Sequence, residues 1–327
     1  MGDAMDASIA QPGTAAAPEA IVGGGPVGLM LALLLDRHGV ASVVFNRDAA
    51  VRLQPKGSTH NARTMEHYRR LGLAPTIRDA GLPLDHPTDV AYFTRFNGVE
   101  LARLRMPSEG EKRRGVADSD EIDPIPEPML RANQMHVEPL LFDAARKAPN
   151  VTLRFGWTVD AIDEAPTGVT LRATRGADGA VEHWRAAFAA GCDGGRSFVR
   201  ERLGIAYEGY ENLRQAFFGG RMVSVHLRAP ALYRDFLGRR RAWQYWIVNP
   251  EVRTAMVALD GRDEFLLWMQ TDGDDDALPD SASISALLGR CAGAPVACDV
   301  LAVGRWTAGV ALVAERFGSG ENSCGRK

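Results

Sequence analysis

The stretch Ala20-Ile21-Val22-Gly23-Gly24-Gly25-Pro26-Val27-Gly28-Leu29 joins a short apolar run to a glycine turn, and then to a helix pattern that stays apolar on every side as far as Leu35. A helix that is apolar all round belongs against a sheet rather than at the surface. It closes with Arg37, His38 and Gly39, cations in the last turn and glycine at the left-handed stop. Ala41 to Phe45 follows as a short β-branched run, which reads as a fully buried parallel strand. Strand, glycine turn, helix and strand make a βαβ unit. Pro18 stands where the first strand would begin and cannot donate to a central ladder, so that strand should be short.

Within the turn, Gly23, Gly25 and Gly28 form G-x-G-x-x-G. The first glycine permits the tight turn, the second lets the backbone approach a pyrophosphate, and the third lets helix and strand pack closely. The helix N-terminus then faces the phosphates. The bare pattern also occurs in structural turns, but here it has a strand before it and a buried helix after it, the context dinucleotide binding requires. The usual partner is an acidic residue at the end of the second strand, accepting from the ribose. Asn46 holds that position, followed by Arg47. Asn46 accepts one such bond without a charge, and a neutral residue beside an arginine also suits a 2′-phosphate, so the fingerprint does not name the dinucleotide.

A second glycine-rich turn, Gly191-Cys192-Asp193-Gly194-Gly195-Arg196-Ser197, again leads from a strand of about 184–190 into a short helix. Asp193 there is suited to accept bonds from a polyol chain, or to cap its own helix. Further out, Ser58 or Thr59 should cap a helix from about His60 to Leu71, and Arg131 to Lys147 returns to helical spacing. Asn97-Gly98, between runs at 89–95 and 99–105, predicts a hairpin with a type I′ turn. Asp178-Gly179 and Asp260-Gly261 predict two more hairpins. Pro107 to Pro128, charged and proline-rich, reads as a long loop. Beyond Gly204 the pattern shifts to strands with aromatics, the mark of a second domain on an antiparallel sheet to which the 89–105 hairpin adds strands.

With 327 residues, 46% apolar and 24% charged, the chain has room for two domains and is neither disordered nor fibrous. A net charge of -3 gives no bulk attraction for nucleic acid or an anionic membrane. Cys192, Cys291, Cys298 and Cys324 have neither C-x-x-C nor zinc spacing, and reduced thiols in the cytoplasm are expected. No apolar run is long enough for a membrane span. His136-Val137-Glu138 places its acid and imidazole two residues apart, off a common helix face, so no metal site is expected there. Asp272-Gly273-Asp274-Asp275-Asp276 lacks the later ligands of a calcium loop. Arg239-Arg240-Arg241 before Trp243 reads as a basic loop entering an aromatic strand.

Four stretches taken in order resemble the FAD-dependent aromatic-ring hydroxylases, the class A flavoprotein monooxygenases of the p-hydroxybenzoate and phenol hydroxylase type. They are the fingerprint, Pro55-Lys56-Gly57 through Asn61-Ala62-Arg63-Thr64-Met65-Glu66 to Gly72, then Arg131-Ala132-Asn133-Gln134, then Asp193-Gly194. The resemblance runs from about residue 19 to about 320. It implies an α/β chain with a Rossmann-like FAD-binding domain at 18–83 plus 129–208. A second domain on an antiparallel or mixed β-sheet, at 84–128 plus 209–312, would hold the substrate, leaving 1–17 and 321–327 unstructured. FAD would be held by Gly23, Gly25, Gly28, Asn46, Arg47, Lys56, Arg131, Gln134 and Asp193.

The resemblance further implies that NADH or NADPH reduces FAD, and that O₂ adds at the flavin C4a to give a hydroperoxide that hydroxylates a phenolic small molecule. No residue is singled out as the base; His60, Tyr245 and Tyr207 are candidates, each more readily structural. The family's ribose-binding Glu is replaced by Asn46. After Gly320 the chain reads Glu321-Asn322-Ser323-Cys324-Gly325-Arg326-Lys327, without the family's second FAD motif, so a C-terminally truncated and impaired member is expected. Two other outcomes stay open: an NADP-dependent Rossmann dehydrogenase selected by Asn46 and Arg47, and a non-catalytic remnant. The protein is expected in the cytoplasm, with a homodimer as the assembly considered and neither nucleic acid nor membrane as partner.

Overall fold

Glu19–Val22, Ser42–Asn46, Val151–Phe155 and Phe188–Gly191 lie side by side as one parallel sheet, with Glu19–Val22 between Phe188–Gly191 and Ser42–Asn46. The computed structural model describes residues 14–117, 125–210, 220–270, 278–308 and 311–319. The chain divides into two compact units, Met1–Arg52 with Glu138–Ala206 and Ala314–Lys327, and Leu53–Val137 with Tyr207–Val313.

In the first unit the βαβ expectation holds. The first strand is short, and the helix Pro26–Arg37 ends at His38, followed by Gly39 at φ 72°. Ile21 and Val44 pack with Ala32 of that helix on one face of the parallel sheet. Ala20, Val22, Val43 and Phe45 pack on the other face against Trp157, Val159, Leu171 and Trp184 of a second sheet. Burial on both faces is why Val43-Val44-Phe45 shows no polar alternation. The second sheet runs in the order Thr14–Ala16, Val181–Ala186, Gly168–Arg175, Trp157–Ala165, with the expected hairpin closing at Gly179.

Two expectations fail in this unit. Thr14–Ala16 is a strand rather than loose arm: it pairs in parallel with His183–Arg185 and satisfies backbone groups of an otherwise open edge. Residues 1–13 and 320–327 lie outside the described residues. The single strand expected over about 184–190 is two, Val181–Ala186 and Phe188–Gly191, in different sheets. The break falls at Ala187, where the N–H groups of Ala187 and Phe188 both donate to the Pro18 carbonyl, at 2.9 and 3.3 Å.

The second unit carries a seven-stranded sheet in the order Asp299–Ala308, Gly220–Arg228, Glu264–Gln270, Arg253–Ala258, Gln244–Val248, Val90–Phe93, Glu100–Leu104. The 89–105 hairpin joins it as expected, through a parallel pairing of Val90–Phe93 with Gln244–Val248. Tyr245, Ile247, Met256, Phe265 and Leu267 alternate onto one face and bury the apolar side of the helix Ser281–Ala292, chiefly Ile284, Leu288 and Cys291. Asp280 caps that helix by accepting the Ser283 N–H at 2.8 Å.

Local details differ from expectation here. Gly98 does not take the positive φ of a type I′ turn. Phe96 is fully buried between Phe93 and Tyr245, and Phe96 and Asn97 donate to the carbonyls of Cys291 and Ala292, so tertiary packing sets the turn. The loop expected over 107–128 contains a helix, Glu109–Ala117. It starts at a capping box in which Ser108 N–H donates to Glu111 Oε2 (2.7 Å) and Glu111 N–H to Ser108 Oγ (3.2 Å). Asn61, not Ser58 or Thr59, caps the next helix, Ala62–Arg70, because Thr59–His60 pairs as a short strand with Leu130–Arg131. That strand also delays the following helix to Gln134–Lys147. Residues 53–83 and 129–137, expected with the FAD-binding domain, group with the second unit. Leu82 enters its main core, and Met135 packs on Val257, Leu259 and Leu266.

Candidate cofactor site

The three fingerprint glycines occupy distinct environments. A Cβ on Gly23, at φ +109°, would sit 2.3 Å from the Cys192 carbonyl oxygen. On Gly28 it would sit 1.9 Å from the Gly23 carbonyl oxygen, so that position fixes how closely helix and strand approach. On Gly25 it would meet nothing within 4 Å. Gly25 is also the N-cap of the Pro26–Arg37 helix, and no side chain caps it. An open cradle before an uncapped helix start is what a dinucleotide pyrophosphate needs, because the first-turn N–H groups have no intrahelical acceptor. A Cβ on Gly24 would press on the tip of the Phe155 ring at 2.7 Å and on Asn46 Cβ at 2.8 Å.

Around this turn the structure gathers Asn46 and the second glycine motif. Asn46 Oδ1 accepts the Gly24 N–H at 3.2 Å while its Nδ2 donates to the Asp48 carbonyl at 3.0 Å. An amide oxygen takes a second bond, so Asn46 retains capacity for a ribose hydroxyl. Arg47 next to it is largely exposed, 3.9 Å from an Asp48 oxygen. Cys192 N–H donates to the Val22 carbonyl at 2.7 Å, which seats the second motif against the first strand. Asp193 is occupied locally: Oδ1 accepts the Ser197 hydroxyl at 2.5 Å and Oδ2 the Val199 N–H at 3.2 Å. It therefore braces the helix Phe198–Arg202, capped by Ser197. Burial and the neighbouring Asp193 push the Cys192 thiol up to about 11, which makes it an inert packing group.

In the second unit, Lys56, Arg131 and Gln134 are held together by a residue the sequence reading passed over. Asn133 Oδ1 accepts the Lys56 N–H at 3.4 Å, and its Nδ2 donates to the Lys56 carbonyl at 3.1 Å. Its position just before a helical pattern was the available signal. Gln134 N–H donates to the Gly57 carbonyl at 2.8 Å and Ala132 N–H to that of Ser58 at 3.1 Å. Arg131 donates to Thr59 Oγ1 and lies over the Trp243 ring, its guanidinium carbon 3.6 Å from the ring centre. Burial lowers its affinity for a proton to about 10.

Two of the three candidates for a catalytic base, His60 and Tyr245, are taken up in internal hydrogen bonds. His60 Nε2 faces the Ala132 carbonyl at 3.0 Å, so it carries the proton, and Nδ1 takes the Tyr68 hydroxyl at 3.1 Å. Tyr245 is fully buried, with its oxygen accepting the Ala242 N–H at 2.7 Å. Tyr207 lies partly buried on the strand Tyr207–Tyr210. Among the described residues no cluster of His, Cys, Asp or Glu forms a metal site, and no helix is long and apolar enough to cross a membrane. The acidic run at 272–276 lies outside the described residues.

Residues 17–314 match a family model described as an FAD binding domain. An FAD-dependent monooxygenase of Emericella nidulans is 30% identical over 89% of this chain and 47% of its own length. Para-nitrophenol 4-monooxygenase of a Pseudomonas strain is 28% identical over 80% of this chain and 57% of its own. Among solved structures, the flavin-dependent monooxygenase PieE in complex with FAD and substrate superposes with a TM-score of 0.82 at 29% identity, covering 93% of this chain and 51% of that one. The chain thus spans about half the length of the curated relatives it matches. Fingerprint geometry, fold and family model agree: the chain belongs to the FAD binding domain family, its cofactor is FAD, and it resembles the FAD-dependent monooxygenases named above over about half their length.

Proposed function

We propose that this chain takes part in hydroxylating a small phenolic aromatic molecule with O₂ and NADH or NADPH. The observation that carries the reading is the open, uncapped helix start at Gly25, inside a chain matched to an FAD binding domain over residues 17–314. The relatives named for para-nitrophenol and aklavinone support an aromatic substrate. Bound flavin supplies the electron transfer to O₂ that side chains cannot perform.

The residues divide the remaining work. Gly23, Gly25 and Gly28 admit the pyrophosphate to the helix start, where backbone N–H groups neutralise its charge. Asn46 offers its amide oxygen to the adenosine ribose, with Arg47 beside it for any added negative charge. Asp193 holds the turn of the second glycine motif. Lys56, Arg131 and Gln134 are the contacts proposed along the flavin, fixed by the paired hydrogen bonds of Asn133. The first unit is read mainly as cofactor-binding and the seven-stranded sheet as substrate-binding. A cytoplasmic location and a homodimer belong to the same reading. The test is oxygen uptake by the FAD-loaded chain with NADH or NADPH across a panel of phenols. Uptake matched by hydroxylated product supports the reading; NAD(P)H oxidation that no phenol stimulates, with no hydroxylated product, overturns it.

A further inference from the structure

A cavity of about 780 Å³ opens within the second unit between two loops, Leu84 to Asp89 and Arg105 to Ser108, and the first turns of the helix Glu109–Ala117. None of these stretches contains a residue proposed to hold FAD. The walls are cross-braced: Thr88 Oγ1 donates to the Pro107 carbonyl at 2.8 Å, Met106 N–H to Asp89 Oδ1 at 2.9 Å, and Gly110 N–H to the Leu84 carbonyl at 2.8 Å. Behind the first loop, His86 is tied to the Tyr233 hydroxyl at 3.0 Å. Of the twelve polar or charged side chains buried among the described residues, five stand in these walls: His86, Thr88, Asp89, Ser108 and Glu109. Burying polar groups opposes folding, and a plain surface loop has no need to do it. Here it fixes the shape of two loops around a space within the range of about 300–1,000 Å³ usual for small-molecule sites.

The groups facing the cavity differ in what they still can bind. Asp89 Oδ2 accepts from Arg103 at 2.7 Å, and Glu111 Oε2 accepts the Ser108 N–H at 2.7 Å, so both acids are engaged. Arg105 and Arg114 also line the cavity, and among the described residues neither is hydrogen-bonded or within ion-pair distance of a carboxylate. Asp85, exposed at the rim, is likewise unbonded. Leu84, Pro87 and Pro107 add an apolar surface. Two open cations, one open carboxylate and an apolar surface are therefore offered to one ligand.

We infer that this cavity binds a nucleoside phosphate: Arg105 and Arg114 take the phosphate oxygens, Asp85 accepts from a ribose hydroxyl, and the base rests on the leucine and prolines. Guanidinium forks match phosphate oxygens in pairs, and an ionised carboxylate accepts from hydroxyls only as a donor-free partner. The phosphate has two sources. One is the nicotinamide dinucleotide of the proposed function, on which that alternative rests; the other is a separate mononucleotide.

Calorimetric titration of the FAD-loaded chain with ADP, adenosine and NADPH tests the site, in the wild type and in Arg105→Gln, Arg114→Gln and the double variant. Both arginines are exposed, so the substitutions leave the core intact. The expected result is that ADP binds the wild type about tenfold tighter than adenosine, and that the double variant loses most of that preference while binding FAD unchanged. NADPH that displaces ADP, and weakens in parallel in the double variant, makes the co-substrate the source. ADP binding that NADPH leaves untouched makes the source a separate mononucleotide. The inference is overturned if ADP binds no tighter than adenosine, if the double variant binds ADP as the wild type does, or if its FAD affinity falls as far as its ADP affinity. Should the wild type bind no FAD, the monooxygenase reading fails, and the loss of ADP affinity from wild type to double variant still decides the cavity, because neither arginine belongs to the glycine fingerprint.

Discussion

The side-chain oxygen of Asn46 accepts the backbone N–H of Gly24 at 3.2 Å, fastening the end of the second parallel strand to the middle of the glycine turn. The position a ribose-binding carboxylate would fill therefore also holds the turn in shape. Asn46→Ala removes this acceptor and the donor to Asp48, with an expected loss of about 1–2 kcal/mol in denaturant unfolding and weaker FAD binding. Asn46→Asp keeps the acceptor and supplies the missing charge, so its FAD affinity should equal or exceed that of the wild type. A fall in affinity for the Asp variant would remove Asn46 from the ribose site.

Gly25 and Gly28 separate binding from folding. Gly25→Ala meets open space and costs about 0.5–1 kcal/mol as an N-cap change, yet its methyl enters the phosphate cradle and should weaken FAD binding more than tenfold. Gly28→Ala drives a methyl against the Gly23 carbonyl and should destabilise the chain by about 3 kcal/mol. Unfolding and FAD titration of both variants check the contrast, and equal effects on both quantities would refute it.

His86 makes stability depend on pH. It is buried, with Nδ1 on the Pro87 carbonyl at 2.9 Å and Nε2 on the Tyr233 hydroxyl at 3.0 Å. Burial lowers its proton affinity below the ordinary 6.5, and the same holds for His60. Above 6.5 neither state is protonated and there is no pH term. As pH falls through 6.5 the unfolded chain takes protons that the folded chain refuses, so stability declines towards acid. Chemical denaturation at pH 7.5, 6.5 and 5.5 should show this decline, and His86→Gln should reduce its slope.

Arg78, 8% exposed, binds Glu109 and Glu127 at 2.6 Å each. Arg78→Met removes the nearer partner of each acid, leaving Glu109 with Arg113 at 3.0 Å and Glu127 with Arg69 at 4.0 Å, and should cost about 3 kcal/mol. Adding Glu109→Gln and Glu127→Gln should recover part of that loss. Thermal or denaturant unfolding of the single and triple variants measures both effects.

What was legible in the sequence was local. The βαβ unit followed from an apolar period, three glycines and a β-branched run, all contiguous. The hairpins at Gly179 and Gly261 followed from turn residues whose positive φ the structure contains. What was missed depended on distant partners. Thr14–Ala16 became a strand because the His183–Arg185 edge was open to it. The Asn97-Gly98 turn took its shape from the burial of Phe96. Asn133 holds Lys56 from 77 positions away. The capping box Ser108-x-x-Glu111 was readable but hidden in a stretch whose prolines and charges suggested a loop. Asp193 admitted two roles in sequence, and the structure shows it bracing its own turn.

The central claim is that the uncapped helix start at Gly25 receives the pyrophosphate of FAD. Equilibrium titration of FAD into the full chain, read by flavin fluorescence with circular dichroism as a check on folding, tests it most directly. The account predicts binding at about micromolar Kd or tighter, weakened more than tenfold by Gly25→Ala. A folded chain that leaves FAD free at about 100 μM, or a Gly25→Ala variant that binds as the wild type does, would contradict it.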